Sequence, residues 1–223
     1  MNAARCLTRD EARRFYGRFG ASQDSQGFYE DRALEVLVEP SAFESAKAVV
    51  ELGYGTGRFA ERLLGTMLPD SARYRGYDIS RTMVGLARAR LGRFGDRAAV
   101  EQTSGEPALP LGDGNADRFL SNYVLDLLPA EEIRRAVAEA HRPLAPGGLL
   151  CLVSIAPGAT VLSKLVMGTF AAVHRASPRV VGGCRPIRLG DALWPDLWKV
   201  LLGQRVVSWG ITPNVVVAER LRA

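Results

Sequence analysis

Short apolar runs alternate with amphipathic segments through the middle of the chain. The apolar runs, which predict strands, are residues 48–52, 74–79, 98–103, 116–124 and 149–155. Apolar residues at helical spacing occupy three intervening segments, 58–68, 81–93 and 129–142. This alternation favours βαβ units and a mostly parallel sheet, which is an α/β fold. A length of 223 residues is that of a single domain.

The two ends of the chain depart from this alternation. Residues 8–38 predict helices that lie outside the alternating core. Beyond the fifth strand, helical patterns cover residues 161–175 and, for a short helix, 191–200. Two late strands are predicted at 206–210 and 215–221. Because their connection is short, we expect an antiparallel hairpin at the sheet edge.

Charge and cysteine content exclude several classes of protein. The net charge is +5, and the basic residues are spread along the chain, so no nucleic-acid partner is expected. The three cysteines lie far apart without CxxC spacing, which predicts neither a disulfide framework nor a metal site. Residues 161–173 are interrupted by Lys164 and are too short to span a bilayer, so no stable membrane insertion is expected. We therefore expect a soluble, cytoplasmic protein.

A glycine-rich turn, Glu51-Leu-Gly-Tyr-Gly-Thr-Gly57, follows the first predicted strand. Glycine permits positive φ and lets a ligand approach the backbone closely. The GxGxG spacing differs from the GxGxxG of dinucleotide-binding folds. Asp78 ends the next predicted strand, where its carboxylate can accept both hydroxyls of a ribose. The alternative role for Asp78 is to cap the following helix, but Ser80 can do that, so the turn and the acid together predict a nucleoside-like ligand.

Several stretches together resemble the class I S-adenosylmethionine-dependent methyltransferases, in particular the small-molecule, ubiquinone/menaquinone methyltransferase-like members (type 11). These stretches are residues 51–57, 77–80, 104–110, 117–128 and 141–148. The resemblance implies a Rossmann-like fold with a seven-stranded, mostly parallel sheet, an antiparallel last strand and helices on both faces. It also implies S-adenosyl-L-methionine as cofactor and an enzyme that moves its methyl group by in-line displacement.

Roles for the first two motifs follow from this resemblance. Glu51 is expected to fix the turn and face the methionine ammonium. Gly53, Gly55 and Gly57 are expected to line the methionine and the ribose. Asp78 is expected to accept the ribose hydroxyls.

The resemblance also implies contacts at the two ends of the cofactor. Ile79 is expected against the adenine, and the segment around Gly105 and Glu106 is expected to bond the adenine amino group. Asn122 and Tyr123, at the end of the fourth strand, are expected beside the methionine.

We divide the single domain into four parts. They are an N-terminal helical lid (1–45), a cofactor-binding core (46–156), an acceptor-covering insert (157–192) and a C-terminal edge hairpin (193–223). The lid is expected to place Tyr16 or Phe19 against the cofactor and to exclude water from the sulfonium. The alternative is a helix packed on the sheet edge.

Two residues are candidates for catalysis, because a general base helps a phenol or an acidic carbon to accept a methyl group. His174 ends the apolar helix of the insert, and Asp126 follows the fourth strand. Their alternative roles are a packing residue for His174 and a helix start for Asp126. The apolar face within residues 161–170 predicts a small, apolar or aromatic acceptor.

Other functions stay open at this point. The chain could bind the cofactor without catalysis and serve as a partner or regulator. A protein or RNA methyltransferase is less favoured, because neither an Asn-Pro-Pro-Tyr-like motif nor an added basic domain is present. A nicotinamide dehydrogenase is disfavoured by the GxGxG spacing. The sequence predicts no oligomeric state.

Overall fold

A computed structural model describes residues 6–222 of the chain. The helices are α1 Arg9–Phe19, α2 Gly27–Ser41, α3 Arg58–Arg62, α4 Arg81–Leu91, α5 Ala130–His141 and α6 Val161–Ala176. The strands are β1 Ala48–Leu52, β2 Arg73–Asp78, β3 Ala98–Gln102, β4 Ala116–Asn122, β5 Leu144–Ile155, β6 Trp198–Arg205 and β7 Pro213–Arg220. α3 continues as a π-helical turn over Leu63–Met67.

The seven strands form one sheet in the order β3-β2-β1-β4-β5-β7-β6. The first five strands pair in parallel, whereas β7 lies antiparallel to both β5 and β6. The predicted seven-stranded, mostly parallel sheet with an antiparallel last strand is confirmed.

Helices cover both faces of this sheet. Adjacent strand residues face opposite layers, so that Val49 packs with α2, α3 and α4, while Val50 packs with α5. β5 is buried on both faces from Leu149 to Ile155, as its continuous apolar run predicts. Within residues 6–222, no helix combines the length and the apolar character needed to cross a bilayer.

Local sequence determines where several helices begin. Thr8 and Glu11 form a capping box at the start of α1. The Ser80 side chain accepts a hydrogen bond from the Met83 N–H and begins α4, which confirms Ser80 as the N-cap. Thr160 caps α6 in the same way.

The prediction for the C-terminal hairpin is wrong in its first strand. The sequence predicts a helix at 191–200 and a strand at 206–210, but β6 begins at Trp198 and ends at Arg205. β6 is an edge strand whose side chains are mostly exposed, so it lacks the apolar alternation that identifies a half-buried strand. The hairpin itself and its position at the sheet edge are as predicted.

Candidate functional site

A cavity of about 730 Å³ opens at the carboxyl ends of β1, β2 and β4, where the strand order reverses. Such reversals are the usual ligand sites of open α/β sheets, and the volume is typical of a ligand pocket. Most of the predicted cofactor residues line this cavity: Tyr16, Gly53, Gly55, Asp78, Ile79, Gly105, Glu106, Asn122 and Tyr123.

The glycine turn between β1 and α3 requires left-handed backbone. Gly53 has a φ of 76°, and a side chain there would collide with Val124. Gly57 has a φ of 78° and precedes α3; a Cβ there would lie 3.1 Å from the Ala87 Cβ of α4. The missing side chain at Gly53 thus leaves room for Val124 in the cavity wall. Gly57 is outside the cavity lining, and its missing side chain lets α3 pack closely on α4.

Asp78 joins the glycine turn to the turn after β2. Its carboxylate accepts the Gly55 N–H at 3.1 Å and the Ser80 N–H at 2.8 Å. Burial raises the pKa of Asp78 to about 6, and the backbone hydrogen bonds oppose that rise. The group is therefore largely ionised at neutral pH and is held at the cavity wall by backbone donors.

Glu51 lies behind the glycine turn rather than on the large cavity. Its carboxylate accepts the Tyr74 hydroxyl at 2.7 Å and the Asn122 Nδ2 at 3.2 Å. Burial raises its pKa to about 7, and the negative charge of Asp78 adds to the rise. Glu51 and Asn122 both line a smaller cavity of about 50 Å³ beside the large one.

Asn122 and Tyr123, at the end of β4, carry buried polar atoms that face few partners in the described part of the chain. Tyr123 has a φ of 56°, which is unusual for a bulky residue and often marks a functional position. The Asn122 Oδ1 and the Tyr123 hydroxyl are buried and find no hydrogen-bond partner within residues 6–222. Buried polar atoms normally have partners, so these two atoms are suited to bind a ligand.

The opposite end of the cavity is closed by arginines of α1. The Arg9 guanidinium pairs with Glu106 at 2.5 Å, and its side chain lies across Gly105. Arg13 donates to the Ser104 carbonyl at 2.5 Å. The segment predicted to contact adenine is therefore attached to the N-terminal helix.

Residues 16–24 extend this cover to the glycine turn. The Tyr16 hydroxyl donates to the Gly182 carbonyl at 3.2 Å, which connects α1 to the insert. The Gln23 side chain lies against Gly55. Asp24 accepts the Thr56 hydroxyl at 2.5 Å, within the turn itself.

Both predicted catalytic residues lie behind the cavity lining. His174 is buried, and its pKa is lowered by burial and by the nearby Arg185 charge. Asp126 is fully buried and accepts the Ile155 N–H at 3.3 Å, while its Oδ1 has no partner within residues 6–222. Burial raises the pKa of Asp126 to about 7.

Several residues that the sequence motifs did not indicate also line the cavity, among them Gln23, Tyr29 and Glu30. The Tyr29 ring contacts the Tyr123 ring edge-to-face, with centroids 5.8 Å apart. The Glu30 Oε2 lies 3.5 Å from the Arg58 Nη2, and burial raises the pKa of Glu30 to about 7. The sequence signal for Tyr29 and Glu30 is this adjacent Tyr-Glu pair in α2, but only the tertiary packing of α2 brings the pair to the cavity.

Residues 49–148 match the family model described as a methyltransferase domain. The chain is 37% identical over 106 residues to the ubiquinone/menaquinone biosynthesis C-methyltransferase UbiE of Methylobacterium nodulans. These residues make up 47% of this chain and 40% of that protein. It is 31% identical over 104 residues to the carboxy-S-adenosyl-L-methionine synthase of Chromohalobacter salexigens. These residues make up 47% of this chain and 38% of that protein. The chain thus matches about two-fifths of the length of these relatives.

A solved structure supports the same fold. The geranyl diphosphate methyltransferase in complex with GPP and sinefungin has a TM-score of 0.63 at 13% identity, with 86% of this chain and 77% of that chain covered. The residues matched by the family model, 49–148, include β1, β2 and β4, and the cavity lies at the carboxyl ends of these strands. Residues 49–148 are thus similar to a methyltransferase domain in sequence, and the fold of the chain is that of solved methyltransferase structures.

Proposed function

We propose that this protein transfers the methyl group of S-adenosylmethionine to a small, apolar or aromatic acceptor by in-line displacement. The observation that carries the proposal is a single cavity that joins the glycine turn and Asp78 to an end rich in tyrosine. When bound, the cofactor supplies an electrophilic methyl group on a sulfonium, with a thioether as leaving group. Because this leaving group is good, positioning can supply much of the acceleration.

The cofactor end of the cavity has the donors and acceptors that an adenosine requires. Asp78 accepts the ribose hydroxyls, and Gly53 and Gly55 present backbone at the turn. Ile79 packs on the adenine, and Gly105 with Glu106 bonds its amino group. These roles agree with the position of each residue on the cavity wall.

The methionine end has acceptors that suit an ammonium. Asn122 Oδ1 is buried and unpartnered within residues 6–222, and Glu51 holds the amide of the same Asn122 in place. We assign the ammonium contact to Asn122, with Glu51 as the residue that orients it. Gly57 shapes the turn without touching the ligand.

The acceptor binds at the end formed by α2, the end of β4 and the insert. Tyr16, Tyr29, Tyr123 and Cys184 line this end together with Leu127. Aromatic walls with few charges suit an apolar or aromatic molecule. The relatives named as a quinone-pathway C-methyltransferase and a geranyl diphosphate methyltransferase support an acceptor of this kind.

Glu30 is the carboxylate on this cavity that we assign as general base. Its pKa of about 7 is suited to accept a proton from a phenol or an acidic carbon at neutral pH. Asp126 and His174 lie behind the lining, where we assign them positioning roles for β5 and the insert. The division into lid, core, insert and hairpin stays a prediction.

The assay uses labelled S-adenosylmethionine with panels of phenols, quinols and amines, and with tRNA and protein extracts. We expect label in a phenol or quinol and none in tRNA or protein. Cofactor binding without any labelled product would favour the regulatory alternative. Mass spectrometry of the cofactor pool separates methyl transfer from modification of the cofactor itself, the reaction named for the second relative.

A further inference from the structure

Large apolar side chains are exposed at one surface of the molecule. Val161 and Leu165, in the first turns of α6, are 88% and 70% exposed, and Leu162 between them is also exposed. Trp209, between β6 and β7, is 80% exposed, and Phe28 at the start of α2 is 60% exposed. We refer to these five residues as the apolar patch.

Contacts among the three segments show that the patch is continuous. A Cβ on Gly210, next to Trp209, would lie 3.0 Å from the Val166 side chain of α6. The Trp209 ring lies edge-to-face with Phe28, with centroids 6.5 Å apart. Phe28 in turn contacts Tyr29, which lines the large cavity. The patch therefore borders the acceptor end of that cavity.

Trp209 occupies a position that is poorly suited to tryptophan. Ser208 and Ile211 exchange two backbone hydrogen bonds of 2.9 Å, so Trp209 and Gly210 are the two central residues of a tight turn. Both have positive φ, 52° and 80°, a conformation that favours asparagine and glycine. Trp209 thus combines a strained backbone with an exposed indole that contributes little to the core. This combination indicates that the indole contacts a binding partner.

Cationic side chains of α6 and α2 flank the patch; on α2, Asp31 is paired with Arg58 at 2.7 Å and Glu35 is exposed. Between Glu139 and Asp191 the chain has six arginine or lysine residues and no aspartate or glutamate. Among them, Lys164 and Arg175 of α6 are exposed. Arg32 donates to the Val207 carbonyl at 3.1 Å, close to the Trp209 turn. Apolar side chains flanked by cations complement a surface that is anionic outside and apolar beneath.

We propose that the apolar patch adsorbs the protein to a bilayer that contains anionic phospholipids. α6 lies along the interface, the leucines reach the acyl boundary and Trp209 lies among the headgroups, where indole rings are favoured. The lysine and arginine side chains attract the anionic headgroups, an attraction that salt weakens. The proposal concerns binding alone and does not depend on the proposed function.

The test is flotation of the full chain with vesicles of phosphatidylcholine alone or mixed with phosphatidylglycerol. We expect binding to the mixed vesicles that salt weakens, and about tenfold weaker binding to phosphatidylcholine alone. Leu162→Ser and Leu165→Ser should each weaken binding about tenfold. Val200→Ser and Leu201→Ser, at exposed positions of β6 outside the patch, should bind like the wild type.

Tryptophan fluorescence gives a second readout of the same surface. The mixed vesicles should shift the emission of the wild type and of Trp194→Phe to the blue, but not that of Trp209→Phe. Circular dichroism melts show whether each variant folds. The proposal is overturned if the wild type does not float with the mixed vesicles, or if the Leu165→Ser protein floats equally well. It is also overturned if light scattering shows a dimer that Leu165→Ser dissociates and no vesicle binding occurs.

Discussion

The two ends of the cavity are built differently. At the ribose end, Asp78 is held by two backbone N–H groups from two neighbouring turns of the sheet. At the proposed acceptor end, Tyr123 has a positive φ and a hydroxyl that finds no hydrogen-bond partner within residues 6–222. Tyr16 and Glu30 reach this end of the cavity from the N-terminal helices. The first end is organised by the sheet itself. The second depends on packing between segments distant in sequence, which leaves it free to differ with the acceptor.

Glu30→Gln should have the largest effect if the acceptor end supplies a base. We expect kcat to fall about a hundredfold, because general-base catalysis typically contributes that much or more. Binding of S-adenosylhomocysteine should change little. In the wild type, the rate should fall as pH drops below about 7, where Glu30 becomes protonated, and this acid limb should be lost in the variant. Glu35→Gln, an exposed change on the same helix, is the control.

Asp78→Asn tests the ribose end. Replacing a charged acceptor with a neutral one should weaken S-adenosylhomocysteine binding about thirtyfold, equivalent to about 2 kcal/mol. Calorimetry measures this, with the exposed Asp70→Asn as control. Affinity equal to that of the wild type would remove the assigned role of Asp78.

Asp126→Asn tests the buried charge behind the acceptor end. The folded-state pKa of Asp126 is raised from 3.8 to about 7, so the folded protein binds a proton that the unfolded chain lacks between these values. Stability should therefore fall as pH rises from about 4 to about 7. In urea unfolding, the variant should lose most of this fall. A slope equal to that of the exposed Asp113→Asn control would contradict the assignment.

Tyr16→Ala tests whether α1 covers the cavity. Loss of the ring and of its hydrogen bond to Gly182 should weaken S-adenosylhomocysteine binding and lower turnover, each about tenfold. Tyr16→Phe keeps the ring and should lose about threefold. If both variants match the wild type in affinity and turnover, the lid assignment is wrong for this residue.

Arg9→Gln should have the smallest effect. The Arg9–Glu106 pair is partly exposed, and such pairs contribute less than about 1 kcal/mol. We expect about twofold weaker S-adenosylhomocysteine binding at low salt and no difference at high salt. A large, salt-independent loss would show that this end also depends on the N-terminal cover.

The contrast between the end built by the sheet and the end built by distant segments explains which parts of the site the sequence predicts. β1, β2 and β4 are predicted within two residues at each end, because apolar runs followed by glycine or a polar residue identify buried parallel strands. The positions of Gly53, Gly55 and Asp78 follow from those strands. β6 was missed because an edge strand lacks apolar alternation, and Glu30 was missed because only the packing of α2 brings it to the cavity.

Calorimetric titration of the wild-type protein with S-adenosylhomocysteine tests the central claim most directly. The account predicts one site per chain, with affinity that declines as pH falls below about 6, where Asp78 becomes protonated. The absence of any binding at neutral pH by the folded protein would contradict it.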